Sequence, residues 1–388
     1  MRLGVDARVL SHRPTGVSRY LAALLDEYGQ SRRAGEILEL FVDRALPVPP
    51  PAAVLPGETS GTPRAPGGER RVAVLRWPLP GGDPAWRQLR LAAHFFLPPR
   101  PDVLFCPFYT VPLLARVPRV VTIHDVSFLA HPEWFTRRAR LAFSLVRPSA
   151  HAARFVVTVS RFSATEIMRR LGLPAQRIAV IPPGIAADWS RPVEAGDRAD
   201  LRQWLGHSGP YLLHLGAVQR RRNVDVVLRA FARLVRSHPE LKLVIAGPTL
   251  DRVPDLARAA TELQLGDKVL RREWVPEPHL RPLLAEATAL IYLSSYEGFG
   301  LPALEAMATG APVVALRRAS LPEVLGDAAA FVDEPEAARL AAVIDGLLRD
   351  TTWSAELRRL GAERAALFST RVAAERTFDL LREVAAGR

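Results

Sequence analysis

Residues 289–310 have the sequence ALIYLSSYEGFGLPALEAMATG. An apolar run of strand length comes first, and a turn containing Gly298 and Gly300 follows it. A helical segment then begins at Leu301, with Pro302 near its start, where proline is well tolerated. Strand, glycine turn and helix in this order form half of a βαβ unit, whose helix connects parallel strands. The stretch therefore predicts an α/β fold with a parallel sheet.

The same alternation continues along most of the chain in two blocks. Short apolar runs of strand type are followed by turn or helix patterns. In the first block these runs are RLGVD, VLFC, RVVTIHD, RFVVTVS and RIAVIP, and in the second they are YLLHLG, LKLVIAG, ALIYLSS and APVVAL. Continuous apolar runs are typical of strands that are buried on both faces by helices. The pattern predicts two doubly wound halves facing across a cleft, which is the natural ligand site.

The boundaries of these halves follow from changes in composition. We assign residues 1–185 to a first domain, polar residues 186–208 to a linker and residues 209–367 to a second domain. The tail over 368–388 predicts a final helix. Residues 44–100 contain the Pro- and Gly-rich run PVPPPAAVLPGETSGTPRAPGG, which predicts a flexible excursion or an acceptor-side loop rather than core.

Composition and charge narrow the class of protein. The 388 residues include one cysteine, Cys106, so no internal disulfide framework is expected and a reducing compartment fits. The N-terminal MRLGVDARVL resembles a strand more than a signal peptide, and no apolar run reaches membrane-spanning length. We therefore expect a cytoplasmic protein. The net charge of +12 suits nucleotides, anionic lipid surfaces or nucleic acid, and charge alone does not separate them.

The glycine turn has the features of an anion site. Free N–H groups at a helix N-terminus, together with the helix dipole, favour a phosphate. Glu305 lies about one turn into the helix and leans toward its start, so it could reach the sugar next to that phosphate. Glu297 precedes the glycines and could hold hydroxyls of a group beyond the phosphate. The spacing leaves open an ordinary strand–turn–helix with two surface glutamates.

A basic loop follows the strand that ends at Gly216, in HLGAVQRRRNVDVVL. Arg220, Arg221 and Arg222 precede Asn223, a residue type that commonly caps helix N-termini. Guanidinium groups beside helix N–H groups suit a diphosphate. The alternative is a solvated basic loop.

Two further residues lie where strands end and helices begin. His124, in TIHDVSF, could donate to a sugar hydroxyl or act as a general base, or it could be a structural histidine paired to Asp125. Gly16, in RPTGVSRY, could let a ligand approach the backbone, or it could simply begin a helix.

Motifs for other chemistries are absent from the sequence. The remaining histidines have no metal-ligand spacing, and no DxD pair follows a strand. No GxSxG or Walker sequence occurs either. We expect no metal ion and no separate cofactor.

Taken together, the motifs resemble the family 4 retaining glycosyltransferases, whose GT-B fold has two Rossmann-like domains. EGFGLPALE matches that family's paired-glutamate motif, and LPEVLGDAAAFVD is similar to the segment that follows it. GAVQRRRN resembles the loop that carries an Arg-Lys pair before Asn. MRLGVDARVL, TGVSRY and TIHDVSFLAHPEWF resemble the mannosyltransferase-like branch.

The resemblance implies roles for individual residues. Glu305 would bind the ribose of a nucleotide sugar, and Glu297 would contact the donor sugar near its reacting face. Arg221 and Arg222 would hold the diphosphate. The implied catalytic residues are Glu297, His124, Arg221 and Arg222. The implied donor-binding residues are Gly16, Gly216, Arg221, Arg222, Gly247, Pro248, Val275, Glu297, Gly298, Phe299, Gly300, Leu301 and Glu305, with the base against Gly247, Pro248 and the backbone around Val275.

Three positions depart from the family's pattern. Arg222 stands at the lysine position, Gln219 stands where an acidic residue is common, and Pro183 stands where asparagine is common. Because arginine is larger and binds phosphate as a fork, the geometry of the diphosphate site is expected to differ.

The activity implied by the resemblance is transfer of a sugar from a nucleotide diphosphate to an acceptor hydroxyl with retention of configuration, with mannose from GDP-mannose as first choice. The acceptor would be a saccharide or a lipid-linked molecule, and the final helix would cross back to the first domain. Basic residues among 137–154 could touch an anionic membrane at the inner face of the plasma membrane, or be a solvated helix face. The alternatives are a nucleotide-sugar epimerase, a glucan synthase and, from a different class, a basic nucleic-acid-binding protein. The last lacks interleaved aromatics and any RRM or helix-turn-helix pattern, so no nucleic-acid partner is expected.

Overall fold

The chain folds into two compact units, each built around its own sheet. The computed structural model describes residues 1–12, 15–31, 33–44, 68–76, 85–96, 98–250 and 255–387. The first unit comprises Met1–Gly184 together with Ser369–Arg388, and the second comprises Ile185–Phe368. All strand pairs in both sheets are parallel. The predicted pair of doubly wound α/β halves is confirmed.

The first unit contains a seven-stranded sheet in the order β3-β2-β1-β4-β5-β6-β7. Its strands are β1 Arg2–Asp6, β2 Glu36–Val42, β3 Gly68–Val74, β4 Val103–Cys106, β5 Arg119–Thr122, β6 Phe155–Thr158 and β7 Ile178–Val180. Leu3 of β1 is opposite Leu38 on one side and Val103 on the other. The strand order reverses between β1 and β4, so ligands of this sheet are expected at the carboxyl ends of these two strands.

The second unit contains a six-stranded sheet in the order β10-β9-β8-β11-β12-β13. Its strands are β8 Tyr211–Leu215, β9 Lys242–Ala246, β10 Val269–Arg272, β11 Ala289–Tyr292, β12 Val313–Leu316 and β13 Ala330–Val332. The order reverses between β8 and β11. The two polar loops singled out in the sequence therefore leave the sheet at its switch point.

Helices cover the faces of both sheets. Those described are α1 Gly16–Ser31, α2 Ala92–His94, α3 Ser127–Ala130, α4 Arg137–Phe143, α5 Val146–Ala152, α6 Arg161–Leu171, α7 Ala195–Leu205, α8 Val224–Leu234, α9 Leu256–Glu262, α10 Glu277–Ala285, α11 Leu301–Ala308, α12 Leu321–Leu325, α13 Ala337–Arg349, α14 Thr351–Ala366 and α15 Thr370–Ala385. In α8, Val224, Val227, Leu228, Phe231 and Leu234 recur at helical spacing and are buried in the core of the second unit. Among the described residues, no helix has the length and apolar character needed to cross a bilayer.

Residues 186–208 differ from the predicted linker. They form a 3-10 turn at Ala187–Ser190 and helix α7, and they belong to the second unit. Leu201 and Leu205, four residues apart, are buried, while the remaining α7 side chains are mostly polar. The sequence looked like a linker because only a narrow stripe of α7 is apolar.

The region 44–100 is partly core rather than an excursion. Within it, β3 extends the sheet by pairing with β2. Trp86 is fully buried, and its Nε1 donates to the carbonyl of Leu75 at 2.7 Å. The Pro- and Gly-rich part of the prediction, over 45–67 and 77–84, lies outside the described residues.

Helix α15 is part of the first unit. Phe378 packs against Tyr28 of α1 with ring centroids 4.3 Å apart. Arg382 forms an ion pair with Glu36 at 2.8 Å. The chain thus returns to its first sheet after completing the second.

Candidate functional site

Two loops meet at the switch point of the second sheet. The first follows β8, and the second follows β11. Asn223, at the end of the first loop, donates its Nδ2 to the Leu293 carbonyl at 2.8 Å and to Ser295 Oγ at 2.9 Å. The Ser295 N–H in turn donates to the carbonyl of Arg221 at 2.7 Å. These bonds join the loop of Arg220–Arg222, here called the basic loop, to the turn that contains Glu297 and Gly300, here called the glutamate turn.

Asn223 occupies the N-cap position of α8, as predicted. However, it has a left-handed φ of 50°, and its side chain makes no cap hydrogen bond. Its amide is used on the neighbouring loop instead. Local helix-capping preference gave way to a bond between two loops that are distant in sequence.

Glu297 is the central acidic group of this site. It is 7% exposed, so the alternative of a surface glutamate is excluded. Oε1 accepts from Ser294 Oγ at 2.9 Å and lies 3.3 Å from Arg222 Nη2, while Oε2 lies 3.8 Å from Arg221 Nη2. Burial raises the pKa of Glu297, but the charges of Arg221 and Arg222 and the Ser294 hydrogen bond outweigh it. The pKa thus lies below its ordinary value, and the side chain is a carboxylate at neutral pH.

Contacts at both terminal nitrogens hold the guanidinium group of Arg222 in place. Nη1 donates to the Leu215 carbonyl at 2.9 Å, Nη2 reaches the Tyr292 hydroxyl at 3.4 Å, and the group lies 5.2 Å from the Tyr292 ring centroid. A Cβ added to Gly216 would lie 1.9 Å from Nη1. Glycine at 216 therefore makes room for the arginine that replaces the family's lysine.

Arg221 is held by a side chain of its own loop and by a carbonyl of the turn that contains Glu297. Its Nε donates to Gln219 Oε1 at 2.8 Å and its Nη1 to the Tyr296 carbonyl at 3.1 Å. Gln219, which stands where an acidic residue is common, thus still positions this arginine through a neutral acceptor. Arg220 is exposed to solvent, whereas Arg221 is half-buried and Arg222 is buried. The alternative of a solvated basic loop therefore applies to Arg220 and not to its two neighbours.

The glycine turn leads into α11 as the sequence predicts. Gly300 lies at the helix N-cap and has a φ of 102°. The backbone of a residue with a side chain would be strained at this φ. Its carbonyl accepts from Ala303 and Leu304. The N–H groups of Gly300 and Leu301 donate to no atom of the described residues. Such donors at a helix N-terminus are suited to an anion.

Glu305 lies one turn into α11 and is 5% exposed. Glu297 is buried to a similar extent. Two buried carboxylates flanking a turn with free N–H donors are unusual in a surface loop, because a buried charge is stable only with partners. The arrangement is suited to binding a ligand, and the donor-binding role of these residues stays a prediction.

Two serines complete the turn, and neither was identified from the sequence. Ser320 is fully buried and donates its Oγ to the carbonyls of Glu297 at 2.8 Å and Phe299 at 3.1 Å. Ser294 holds the Glu297 carboxylate itself. Serine just before a helix, as at Ser320, suggests a cap, but nothing in the local pattern indicates a bond to residues more than twenty positions earlier.

The residues predicted to line the base lie along the same sheet edge. Gly247 follows β9 and has a φ of 129°, and a Cβ there would lie 2.2 Å from the Gly216 carbonyl oxygen. The Pro248 carbonyl accepts from Val218 at 2.8 Å. Val275 follows β10, the next strand of the sheet. The site-lining role of these three residues stays a prediction.

His124 belongs to the first unit, at the carboxyl end of β5. Its Nε2 donates to the Pro107 carbonyl at 3.0 Å, and Asp125 accepts instead from Ser127. Burial lowers the pKa of His124, although the Pro107 bond and the charge of Asp125 oppose the shift. The imidazole is thus neutral, with its Nδ1 lone pair left as an acceptor. The alternative of a hydrogen-bonded His124–Asp125 pair is not observed.

Gly16 also belongs to the first unit and is the first residue of α1. A Cβ added there would meet no atom of the described residues within 4 Å. Packing against the described part of the chain therefore does not require glycine at this position.

Within the described ranges, no group of three or more His, Cys, Asp or Glu residues is arranged to hold a metal ion. The positive charge at the switch point is supplied by Arg221 and Arg222.

Comparisons with known proteins identify the family of this chain. The sequence profile described as Glycosyltransferase Family 4 matches residues 14–189, and that described as Glycosyl transferases group 1 matches residues 198–366. The O-antigen chain mannosyltransferase B of Escherichia coli is 32% identical over 270 residues, covering 68% of this chain and 69% of that protein. The D-inositol 3-phosphate glycosyltransferase 1 of Catenulispora acidiphila is 33% identical over 250 residues, covering 61% of this chain and 59% of that protein.

A solved structure shows the same fold. The crystal structure of Anabaena Alr3699/HepE in complex with UDP and glucose has a TM-score of 0.74 to this chain at 21% identity, covering 98% of this chain and 99% of that one. Two doubly wound units, each with a parallel sheet, together with the two family matches, define a glycosyltransferase of the GT-B fold. The chain belongs to the family 4 glycosyltransferases, in their mannosyltransferase-like branch.

Proposed function

We propose that this glycosyltransferase moves a mannosyl group from GDP-mannose to an acceptor hydroxyl with retention of anomeric configuration. The observation that carries the proposal is the buried Glu297 held by two arginines at the switch point, beside the free N–H groups of α11. Arginine forks and helix N–H groups suit the diphosphate, and Glu305 and Glu297 suit hydroxyls on either side of it. Mannose is favoured by the E. coli relative's name.

The proposed transfer takes place on one face of the sugar. The bond between the anomeric carbon and the diphosphate oxygen breaks, and the acceptor oxygen bonds to the same carbon. The acceptor hydroxyl proton passes to the departing phosphate oxygen. Arg221 and Arg222 offset the charge that develops on the diphosphate, which is the main contribution required of the protein.

We further propose that the arginines supply this charge without a metal ion. Arg222 is buried beside Glu297, and Arg221 is oriented by Gln219 and the Tyr296 carbonyl, so both are fixed before the donor arrives. Preorganised charges need little rearrangement when the leaving group forms. Turnover is accordingly expected to continue when EDTA is added.

The donor is tested by thermal unfolding with GDP, UDP and ADP sugars, because a ligand that binds the folded state raises the melting temperature. GDP-mannose is expected to give the largest shift, and a larger shift with UDP-glucose would reassign the donor.

Product analysis with labelled donor and an acceptor mixture then identifies the reaction. One transferred sugar with retained configuration supports the proposal. Epimerised donor would indicate the nucleotide-sugar epimerase, and a long glucan would indicate the glucan synthase.

A gel shift in moderate salt tests the nucleic-acid-binding alternative, and no shift is expected.

A further inference from the structure

A pocket in the first unit is lined by none of the residues of the glutamate–arginine site. It has a volume of about 400 Å³, which is within the range of small-molecule sites. Its lining combines aromatic and aliphatic side chains with arginines from α3, α4, α5 and α6. We call it the Phe–Arg pocket and define it by Phe128, Leu129, Arg140, Phe143, Arg147 and Arg170.

The floor of the Phe–Arg pocket is apolar and partly open to solvent. The Phe128 and Phe143 rings are stacked, with centroids 4.4 Å apart and planes 9° from parallel. Leu129 is 39% exposed, and Leu141, next to the pocket in α4, is 73% exposed. Exposed aliphatic side chains beside an aromatic floor offer an apolar surface with no partner in the described parts of the chain.

The rim is basic, and part of its charge is not balanced. Arg170 is held by Glu166 at 2.7 Å and by the Leu129 carbonyl at 3.0 Å. Arg140 and Arg147 are exposed and form no ion pair or side-chain hydrogen bond with any described residue. Glu166 is shared between Arg169 and Arg170, so it does not neutralise them.

Helix α4 contributes little to the core of its own unit. Thr136 caps it by accepting from the Ala139 N–H at 3.2 Å, which explains why the short helix forms. However, none of its residues from Arg137 to Phe143 is buried. Phe143 is partly buried against the core, but the arginines and Leu141 of α4 are exposed, so the helix is suited to contact something outside the chain.

The Phe–Arg pocket is connected to His124 through an aromatic ring. Tyr109 lies 6.1 Å from His124, 6.0 Å from Phe128 and 5.4 Å from Phe143, measured between ring centroids. Since α3 begins three residues after His124, the pocket lies on the carboxyl side of β5. A molecule in the pocket could therefore extend along Tyr109 to the imidazole.

We propose that the Phe–Arg pocket binds the phosphate-bearing, apolar end of the acceptor, so that the acceptor is an anionic amphiphile rather than a free sugar. Its phosphate binds Arg140 and Arg147, and its apolar chain lies on Phe128, Phe143 and Leu129. Arginine forks match phosphate geometry, and the apolar floor adds selectivity for a chain that a bare anion lacks. The inference rests on the proposed function, because it concerns the acceptor of that reaction.

The test uses the full-length protein and isothermal titration with three probes. Dodecyl phosphate, kept below its micellar concentration, carries both charge and chain, inorganic phosphate carries only charge, and dodecyl maltoside carries only chain. Dodecyl phosphate is expected to bind, and the double variant Arg140→Glu with Arg147→Glu is expected to weaken that binding about tenfold or more. Equally tight binding of inorganic phosphate or of dodecyl maltoside would overturn the proposal, as would no binding of dodecyl phosphate.

A matched control makes the same charge change elsewhere in the first unit. Arg116 and Arg154 are exposed and lie just before β5 and β6, at the amino edge of the sheet. Replacing both by glutamate is expected to leave dodecyl phosphate binding unchanged. An equal loss in this control would mean that overall charge, and not the pocket, attracts the probe. A competition experiment tests the class of ligand. If a single-stranded oligonucleotide displaces dodecyl phosphate from the pocket, the amphiphile assignment is overturned.

Two further measurements separate the outcomes. Vesicles containing phosphatidic acid present the same group from a bilayer, so cosedimentation that the pocket variant loses identifies a membrane lipid as its source, and its absence identifies a soluble amphiphile. The thermal shift caused by the sugar nucleotide should be the same in the pocket variant and the wild type. Failure of dodecyl phosphate binding with an intact donor shift sinks only this inference, whereas a missing donor shift in the wild type counts against the proposed function.

Discussion

At the scale of single residues, the site depends on groups placed where no other side chain fits. Gly216 leaves the space that the Arg222 guanidinium occupies, and Gly247 packs its backbone against Gly216. Arg222 can then reach both Glu297 and the Leu215 carbonyl. A buried carboxylate and a buried guanidinium stabilise each other only in such close geometry, because each alone would carry a large desolvation penalty.

Substitution Gly216→Ala is expected to abolish the donor-induced thermal shift and to lower the free energy of unfolding by about 1 kcal/mol or more. The new Cβ would collide with Arg222, and the φ of 114° is unfavourable for alanine. Chemical denaturation and thermal shift with the donor measure both effects. Gly196→Ala is the control: its Cβ would meet nothing within 4 Å, at the start of α7, so stability should be equal or slightly higher. Wild-type donor binding by Gly216→Ala would contradict the role given to Arg222.

The substitution Arg221→Ala is expected to lower kcat by about 10²-fold while the protein remains folded. In other enzymes, the loss of one hydrogen-bond donor to a developing anion lowers kcat by a similar factor. Circular dichroism and steady-state kinetics measure the two effects. Arg220→Ala, from the exposed neighbour in the same loop, should have a much smaller effect. Equal losses in both variants would show that the loop's net charge matters rather than the placement of Arg221.

The substitution Gly16→Ala tests whether glycine at this position is required for stability or for binding the donor. Since an added Cβ meets no described atom within 4 Å, the free energy of unfolding should be unchanged or slightly higher. If the donor approaches this backbone as predicted, KM for the donor should rise in the variant. Unchanged stability together with unchanged KM would mean that the predicted donor contact of Gly16 is wrong.

At the scale of elements, short polar contacts join loops to the ends of strands. Asp43, just after β2, accepts from Arg8 Nε at 2.9 Å, Ser11 Oγ at 2.6 Å and His12 Nε2 at 3.1 Å. All three donors belong to the loop after β1. This carboxylate thus fixes one loop at the carboxyl edge of the first sheet, as Asn223 does in the second.

The pH dependence of stability should report the Asp43 contacts. Burial raises the pKa of Asp43, but the bonds from Ser11, Arg8 and His12 outweigh it and lower the pKa to about 2. A depressed carboxylate pKa contributes stability above its unfolded value of about 4, and this contribution is lost as pH falls from about 4 to about 2. Urea unfolding over that range should show a flatter pH dependence for Asp43→Asn than for the wild type. Asp200→Asn, at an exposed position, should keep the wild-type slope.

The glutamate turn depends on α12 through Ser320. Ser320→Ala would leave the carbonyls of Glu297 and Phe299 without their hydroxyl donor, at a cost of about 1–3 kcal/mol in stability. Donor affinity should fall with it, since the turn that carries Glu297 loosens. Ser190→Ala removes a hydroxyl at an exposed turn and should change neither. If Ser320→Ala binds donor like the wild type, the turn does not need this support.

At the scale of the whole molecule, the chain completes its first unit only at its end. Phe378 and Leu381 of α15 belong to the same core as Leu3, Leu21 and Leu25. The first sheet therefore depends on residues made after the entire second unit. This dependence couples the stability of the first unit to the C-terminal segment.

Phe378→Ala is expected to destabilise the first unit by about 3–5 kcal/mol, because a fully buried ring is replaced by a cavity. Hydrogen exchange resolved by peptide should show the loss in strands β1 and β2 and leave β8 to β13 protected. The matched control is Leu367→Ala, since Leu367 is largely exposed. Uniform loss of protection in both units would mean that they unfold together.

The sequence alone determined the fold class and much of the position of the site. Apolar runs alternating with amphipathic segments are a local property, and EGFGLPALE marks a strand–turn–helix wherever the chain folds. Both could be recognised without tertiary contacts. The sequence accordingly predicts Glu297, Arg221, Arg222 and Gly216 as site residues, and the structure places all four at one switch point.

The tertiary structure decided which groups are buried and which atoms they contact. Spacing could not tell a surface glutamate from the buried Glu297, nor a polar linker from α7, whose stripe of two leucines is narrow. It also could not assign Asn223 to the neighbouring loop or Ser320 to the glutamate turn. Such bonds join segments that are far apart in sequence, so they depend on strand order, and strand order follows from packing both faces of a sheet rather than from any local pattern.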